Sequence, residues 1–173
     1  MSRMLSPFWP LDLWTAWWDA WGAEPYVAPL RDSGQAAALS RLHATAFARP
    51  WDPHEFERML CERSTEAHAL WRNGAIQGFV LSRRVADEAE ILTLVLAPAM
   101  RGGGLSHRLL REHLAHLAQA GVRSVHLEVD EGNMPALKLY ARHGFAQVGE
   151  RTGYYARKDG SRATALTMRA MMS

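Results

Sequence analysis

A buried strand, a glycine-rich turn and a long helix follow one another between residues 91 and 121. The strand is ILTLVL, which is apolar apart from Thr93 and is therefore typical of a central strand that is covered on both faces. The turn is RGGG, and the leucines after it recur at helical spacing until Gly121, where a helix C-terminus is expected. This succession predicts an α/β domain built around one sheet.

The glycine-rich turn is also a candidate binding site. Its main-chain N–H groups and the positive end of the helix dipole form an anion site suited to a pyrophosphate, and glycine lets the ligand approach the backbone. Two known loop types do not fit, because no Lys-Ser or Lys-Thr follows the glycines and the dinucleotide fingerprint needs a wider glycine spacing. Three glycines are also found in flexible connectors, so the ligand stays open at this point.

Periodicity elsewhere predicts a single domain over residues 26–173. The expected order is a strand, two helices, three strands, a helix, a strand, a helix and two strands. Asp52 is placed to cap the second helix, and Asn73-Gly74 is a typical hairpin turn. Asn133 and Gly144 mark the beginning and the end of the last helix. The predicted architecture is a central mixed, twisted sheet of about seven strands flanked by about four helices.

Residues 1–25 are predicted to be a tryptophan-rich extension outside this domain. They contain three acidic residues, unlike the apolar core of a signal peptide, and no run in the chain reaches the ~18 apolar residues of a membrane span. One helical stripe of the extension is apolar and consists of Leu11, Trp14, Trp18 and Trp21. We expect the stripe to pack on its own domain, with self-association as the second possibility and contact with a membrane surface as the third.

Composition and charge exclude several classes of protein. The single cysteine, Cys61, rules out an internal disulfide and a thiolate zinc site, so a cytoplasmic protein is expected. With 20 basic and 18 acidic residues the formal charge is +2, which gives no reason to expect direct nucleic-acid binding. His107, His113 and His116 lie on the long helix, and we interpret them as a solvated face rather than a metal site, because no third ligand has a matching spacing.

The segment VLAPAMRGGGLSHRLL resembles the acetyl-CoA signature of the GNAT superfamily, which reads Gln or Arg, two residues, Gly, one residue, and Gly or Ala. Arg101 and Gly104 match this signature, and Ser106 stands at its final small position. Three further segments carry the resemblance in order, namely ARPWDPHEF, LEVDEGNMPALKLYARHGF and GYYARKDGSRATALTM. The resemblance runs from about Tyr26 to the end and is strongest to the bacterial ribosomal-protein-alanine N-acetyltransferases.

The resemblance implies a GNAT fold, acetyl-CoA as cosubstrate, no metal and a set of site residues. It makes Glu128 the general base and Tyr140 the general acid. It places acetyl-CoA against two stretches of chain and one asparagine, which are Leu94, Val95, Leu96, Arg101, Gly102, Gly103, Gly104, Leu105, Ser106, His107 and Asn133. We interpret Trp51, Tyr154 and Tyr155, from a loop and a hairpin, as a wall for a bound peptide, and the alternative is that they are core aromatics.

Local patterns agree with the two catalytic roles but do not require them. Alternation along the strand places Glu128 on the face opposite Leu127, so its carboxylate is free to line a cleft. Tyr140 shares a helical stripe with Ala136 and Leu137, which predicts a ring that is buried on one side. The alternatives are a solvated strand glutamate and an ordinary core tyrosine.

The implied reaction is direct attack of an amine on the thioester of acetyl-CoA. The resemblance implies a protein N-terminus as the acceptor, in particular the N-terminal alanine of a small-subunit ribosomal protein. An α-amino group titrates near ~7.8 and lysine near ~10.4, so neutralising lysine costs about 3.5 kcal/mol more and the α-amine is favoured. The alternatives are acetylation of a lysine or a small-molecule amine, and a CoA-binding module without catalysis.

Overall fold

The computed structural model describes residues 23–156 and 162–172, except for the side chains of residues 153–156 and 162–163. The predicted apolar stripe of the extension and the side chains of Tyr154 and Tyr155 lie outside the described residues. No helix within the described ranges is both long enough and apolar enough to cross a membrane.

The described residues form one seven-stranded sheet with four α-helices. The strands are β1 (Tyr26–Pro29), β2 (Thr65–Arg72), β3 (Ala75–Val85), β4 (Glu88–Leu96), β5 (Ser124–Asp130), β6 (Ala146–Ala156) and β7 (Arg162–Met171). The helices are α1 (Ala36–Ala44), α2 (Pro53–Cys61), α3 (Leu105–Gln119) and α4 (Met134–Arg142), and short 3-10 turns cover Ser33–Gln35 and Pro98–Met100. This is the predicted order of elements, so the α/β fold class is confirmed.

The strands lie in the order β1-β2-β3-β4-β5-β7-β6. Neighbouring strands are antiparallel, with the exception of β4 and β5, which run parallel. The long helix α3 connects these two parallel strands, as a crossover connection between parallel strands requires. The glycine-rich turn therefore lies at the carboxyl end of a central strand.

Helices cover both faces of the sheet and create two hydrophobic cores. On the α3–α4 face, leucines of α3 pack with Val125 and Leu127 of β5. On the α1–α2 face, Phe56 of α2 packs with residues of β2 and β3. β4 contributes to both cores, with Ile91 on the first and Val95 on the second. The prediction of a central strand covered on both faces is thus confirmed.

Short-range signals set the ends of several elements where the sequence predicted them. Asp52 and Glu55 form a reciprocal capping box at the start of α2, with N–H to carboxylate distances of 2.8 Å in both directions. The Asn133 side chain accepts a hydrogen bond from the Ala136 N–H at 3.2 Å and caps α4. Asn73 has a positive φ of 52°, as the tight turn between β2 and β3 requires.

β4 and β5 pair only over the first part of their length and then separate. Within the described strands, the parallel register runs from Glu88 opposite Ser124 to Ile91 opposite Leu127. Directly after Ile91, Leu92 has no partner on β3 and forms a β-bulge. A bulge bends its strand and increases the local twist, which turns β4 away from β5. We call the gap between the two strands beyond Ile91 and Leu127 the fork.

Candidate active site

The fork exposes a strand edge in the middle of the sheet. Beyond Ile91, no described strand pairs with β4 on the side of β5, so main-chain groups on that edge can bind a ligand. The predicted cofactor residues Leu94, Val95 and Leu96 all lie on this part of β4. The Val95 and Leu96 side chains are buried in the two cores, so these residues offer the edge their backbone.

The glycine-rich turn follows this strand edge and has open space beside it. Gly102 and Gly104 have φ angles of +84° and +76°, a left-handed conformation that glycine adopts without strain. A Cβ atom placed on Gly102, Gly103 or Gly104 would meet no atom within 4 Å. A ligand can therefore approach the main chain of all three predicted glycines.

The N-terminus of α3 lies at the end of the same turn. Gly104 is the N-cap of this helix, and within the described part of the chain no side chain caps it. The first N–H groups of α3 therefore point outwards at the positive end of the helix dipole, which is an arrangement that binds anions. Leu105 and Ser106 are half-buried here, and His107 is exposed.

Arg101 connects the turn to the strand. Its Nε atom donates a hydrogen bond to the Leu96 carbonyl oxygen at 3.2 Å, while the residue as a whole stays exposed. The sequence signature predicts that Arg101 contacts the cofactor, and in the structure Arg101 also holds the end of β4. The contact fixes the end of β4 relative to the glycine-rich turn, so that the two parts of the predicted cofactor site form one surface.

Glu128 is the first residue of β5 beyond the last pair with β4. Leu127 and Val129 on either side of it are buried in the α3–α4 core, so alternation places Glu128 on the α1–α2 face. Its side chain is 23% exposed, and Oε1 lies 3.5 Å from Nη1 of Arg151 on β6. Sequence reasoning missed Arg151, because only strand pairing between distant segments brings it to the carboxylate.

Tyr140 reaches the sheet from the opposite face. It is 8% exposed and belongs to the α3–α4 core, where its ring centroid lies 5.6 Å from that of Phe145. The predicted burial of this ring is therefore confirmed. The two predicted catalytic residues lie on opposite faces of β5, with the fork between those faces. Asn133, which is predicted to touch the cofactor, uses its side-chain oxygen to cap α4.

Trp51 lies in the loop between α1 and α2, on the face that carries Glu128. Its ring is partly buried and stacks on His43 with a centroid separation of 4.8 Å and an interplanar angle of 14°. The Trp51 N–H donates a hydrogen bond to Nδ1 of His43 at 3.2 Å, and the Ser40 hydroxyl donates one to the Trp51 carbonyl at 2.9 Å. The other two residues of the predicted peptide wall, Tyr154 and Tyr155, have side chains outside the described residues.

Comparison with known proteins identifies the family. Residues 36–145 match the family described as "Acetyltransferase (GNAT) family". The chain belongs to the GNAT family of acetyltransferases. It is 36% identical over 152 residues to the N-alpha-acetyltransferase RimI of Mycobacterium tuberculosis, covering 84% of this chain and 92% of that protein.

This GNAT acetyltransferase is also similar to two proteins named as ribosomal-protein-alanine N-acetyltransferases. It is 35% identical over 130 residues to the ribosomal protein bS18-alanine N-acetyltransferase of Haemophilus influenzae, covering 75% of this chain and 88% of that protein. The crystal structure of the ribosomal-protein-S18-alanine N-acetyltransferase from Escherichia coli matches with a TM-score of 0.81 and 27% identity, over 87% of this chain and 95% of that one. The resemblance seen in the sequence and the predicted fold are confirmed.

A buried polar cluster lies beneath α3 of this GNAT domain, and it corrects one interpretation. His113 is 0% exposed, whereas the sequence was interpreted as placing it on a solvated face. Its Nδ1 lies 2.9 Å from Nδ1 of His68, and its Nε2 lies 2.7 Å from the Ser82 hydroxyl. Leu110 lies three residues before His113 and Leu117 lies four residues after it, so all three share one helical stripe. This spacing was the signal for the burial of His113.

The polar side chains of this cluster have hydrogen-bond or ion-pair partners within it. Glu66 is buried and lies 3.1 Å from Nε2 of His116 and 3.2 Å from Nη2 of Arg31. Burial lowers the pKa of His68 to about 4 and that of His113 to about 3, so both rings are neutral at cellular pH. Among the described residues, no group of histidine, cysteine and acidic side chains is arranged to hold a metal ion. The cluster therefore packs α3 onto β2 and β3.

Proposed function

We propose that this chain transfers the acetyl group of acetyl-CoA to the α-amino group at a protein N-terminus, with the N-terminal alanine of ribosomal protein bS18 as its acceptor. The observation that carries the proposal is the fork, which has Glu128 on one side and leads to an uncapped helix N-terminus. Relatives named as bS18-alanine N-acetyltransferases match over most of their length. In this proposal residues 26–173 are the catalytic domain, and residues 1–25 are an extension to it.

The residues present fit acetyl-CoA. A pyrophosphate needs several N–H donors and a backbone without obstructing side chains, and the turn from Gly102 to Gly104 leads into the N-terminus of α3 with open space at each glycine. Beyond the turn, the edge of β4 in the fork supports a second contact, with the amide groups of the pantetheine arm. Bound in this way, acetyl-CoA supplies a thioester, which is an acetyl group already activated for transfer.

The proposed reaction is a direct transfer without a covalent enzyme intermediate. The acceptor nitrogen forms a bond to the acetyl carbon, the bond between carbon and sulfur breaks, and the nitrogen loses one proton. Glu128, on the α1–α2 face, accepts this proton directly or through a water molecule. Tyr140, on the α3–α4 face, supplies a proton to the leaving sulfur. Main-chain N–H groups of β4 stabilise the charge that develops on the carbonyl oxygen.

The acceptor approaches from the face that carries Trp51 and Glu128 in this proposal. A protein N-terminus has an α-amine that titrates near ~7.8, so a substantial fraction is already neutral at cellular pH. A single carboxylate base is sufficient to complete the deprotonation of such an amine. A flat aromatic ring beside the site supports binding of the first residues of an extended peptide, because it buries much area at a small entropic cost.

The proposal is tested with the purified full-length chain, acetyl-CoA and three versions of one peptide that carries the bS18 N-terminal sequence. The first has a free N-terminal alanine, the second is blocked at the N-terminus, and the third is blocked and contains an accessible lysine. We expect release of CoA only with the first, and mass spectrometry should place the acetyl group on the alanine nitrogen. Acetylation of the blocked, lysine-containing peptide, or no release of CoA with the free peptide, would show that the acceptor is wrong.

A further inference from the structure

We propose that His43 is a positioning residue that holds Trp51 in place for the acceptor peptide. The inference rests on the proposed function, because it takes Trp51 to be a wall of the acceptor site. In this proposal His43 touches neither substrate, but it gives the α1–α2 loop the fixed shape that selective peptide binding requires.

The contacts of His43 are directed at the Trp51 loop. Its ring lies between two aromatic rings, with Trp51 at 4.8 Å and 14° on one side and Phe47 at 4.1 Å and 19° on the other. Its Nδ1 atom accepts a hydrogen bond from the Trp51 main chain at 3.2 Å. One side chain thus fixes both the ring plane and the backbone of Trp51, whereas a purely apolar residue could fix only the ring.

The chemistry of the site keeps this imidazole in the form that can accept the hydrogen bond. His43 is 3% exposed, and burial lowers its pKa to about 4, an effect that Glu55 opposes only in part. The ring is therefore neutral at cellular pH with its proton on Nε2, since Nδ1 is the acceptor. Because the Trp51 N–H already occupies Nδ1, that nitrogen does not serve as a general base.

We call the stacking and hydrogen-bond contacts of His43 with Trp51 the clamp. Its position relative to the fork links the clamp to the acceptor. Trp51 packs on the core of the α1–α2 face, and so does Leu92, the bulge residue at which β4 leaves β5. Glu128 projects from the same face. A shift of the Trp51 ring would therefore change the side of the fork from which the amine approaches. It would leave the glycine-rich turn at the far end of β4 unchanged.

Two substitutions separate the two contacts of the clamp. His43→Phe keeps a ring between Phe47 and Trp51 but removes the acceptor, whereas His43→Asn keeps an acceptor near the position of Nδ1 but removes the ring. We expect each variant to raise the KM for the bS18 peptide about fivefold, in keeping with the loss of one neutral contact. We expect kcat and the KM for acetyl-CoA to change by less than about twofold, because the glycine-rich turn and Glu128 are unaltered. His54→Asn, on the exposed surface of α2, is the matched control and should change none of these values.

A double-mutant cycle with Trp51→Ala distinguishes a clamp from general stabilisation. If His43 acts through Trp51, then His43→Phe has no further effect on the peptide KM once Trp51 is alanine. Ser40→Ala, which removes the hydrogen bond to the Trp51 carbonyl, provides an independent variant in case a His43 variant does not fold. It should raise the peptide KM in the same direction.

The outcomes separate this inference from the proposed function. If the wild-type chain acetylates no N-terminal peptide, the proposed function fails first. If the wild-type chain is active but Trp51→Ala or His43→Phe leaves the peptide KM unchanged, the clamp is disproved. Two other outcomes would also overturn it. One is that the effects of His43→Phe and Trp51→Ala are additive, which would mean that His43 does not act through Trp51. The other is a loss of kcat with a similar rise in the KM for the peptide and for acetyl-CoA, which would indicate a role in overall folding.

Discussion

The Glu128 carboxylate lies 3.5 Å from the Arg151 guanidinium, although β5 and β6 are not neighbours in the sheet. β7 lies between them, and Glu128, Thr167 and Gly149 form one row across the three strands. Because Gly149 has no side chain, Arg151, two residues further along β6, can reach over this row. The ion pair ties the candidate base to the last strand of the sheet.

We predict that Glu128→Gln lowers kcat for the bS18 peptide by about 10²-fold or more, because the amide cannot accept a proton from the acceptor nitrogen. The affinity for acetyl-CoA, measured by calorimetry, should be unchanged, since the glycine-rich turn is intact. Glu90→Gln, on the exposed part of β4, is the matched control and should retain full activity. A Glu128→Gln enzyme as active as this control would exclude the assigned role.

Replacement of Arg151 should have a much smaller effect than replacement of Glu128. The Arg151 side chain is 61% exposed, and ion pairs at such positions contribute about 0.2–1 kcal/mol. We therefore expect Arg151→Gln to lower kcat/KM no more than about fivefold, and Arg151→Lys to recover part of the loss. Steady-state kinetics at two salt concentrations provide the check, because an exposed ion pair weakens as salt is added. A loss as large as that of Glu128→Gln would mean that Arg151 contacts a substrate.

Tyr140→Phe tests the proton donor with little change of shape. The ring stays in the α3–α4 core, so the melting temperature should fall by only a few degrees for the loss of about 1 kcal/mol at the hydroxyl. If the hydroxyl protonates the leaving sulfur, kcat should fall by about 10²-fold while acetyl-CoA binds as before. Tyr26→Phe, on exposed β1, is the comparison. A fall in stability with unchanged kcat would reduce Tyr140 to a core residue.

The glycine-rich turn can be tested separately from backbone strain. Gly103 does not have a positive φ, unlike Gly102 and Gly104, and a Cβ atom on it would meet no atom within 4 Å. Gly103→Ala should therefore not lower stability. If the acetyl-CoA phosphates lie against this backbone, the added methyl group should weaken binding about tenfold. Gly74→Ala makes the opposite change, because its φ of +72° strains the β2–β3 turn far from the fork. It should lower the melting temperature and leave acetyl-CoA binding intact.

Stability should decrease as the pH falls from about 6.5 towards 4. Burial lowers the pKa of His43 and His68 to about 4 and that of His113 to about 3, whereas all three titrate near 6.5 when unfolded. Within this range the unfolded chain binds protons that the folded chain does not, so the free energy of unfolding rises with pH and is fully present above about 6.5. Each histidine can contribute up to about 1.4 kcal/mol per pH unit.

Urea unfolding at pH 7, 6 and 5 measures this dependence. The slope should be less steep in His43→Phe, which removes one of the three buried imidazoles, and unchanged in His54→Asn, whose ring is exposed. A wild-type unfolding free energy that is constant between pH 7 and 5 would contradict the neutral, buried state of these histidines.

Local signals in the sequence were sufficient to predict the order of the elements. The Asp52 cap, the Asn73-Gly74 turn and the Asn133 cap each depend on residues within a few positions of one another, and all three are present. The glycine-rich turn at the start of α3 was recognised for the same reason. The proposed roles of the site residues go beyond this agreement and stay predictions.

Contacts between distant segments could not be predicted in the same way. The Arg151–Glu128 ion pair depends on the strand order β5-β7-β6, and the His43–Trp51 clamp depends on how a loop folds back onto α1. No short-range pattern encodes either contact. His113 is a different case, since the leucine stripe of α3 includes its position and the polar side chain alone led to the wrong interpretation.

The bulge at Leu92 changes which side chains of β4 point to each face. Ala89 and Ile91 point to the α3–α4 core before it, and Leu94 and Leu96 do so after it, so the odd and even positions exchange at this one residue. Deleting Leu92 would restore regular alternation and leave Val95 on its present face, but it would remove the bulge whose bend separates β4 from β5. Homologous chains can therefore vary the composition of this strand, but its length should be invariant between Ile91 and the glycines.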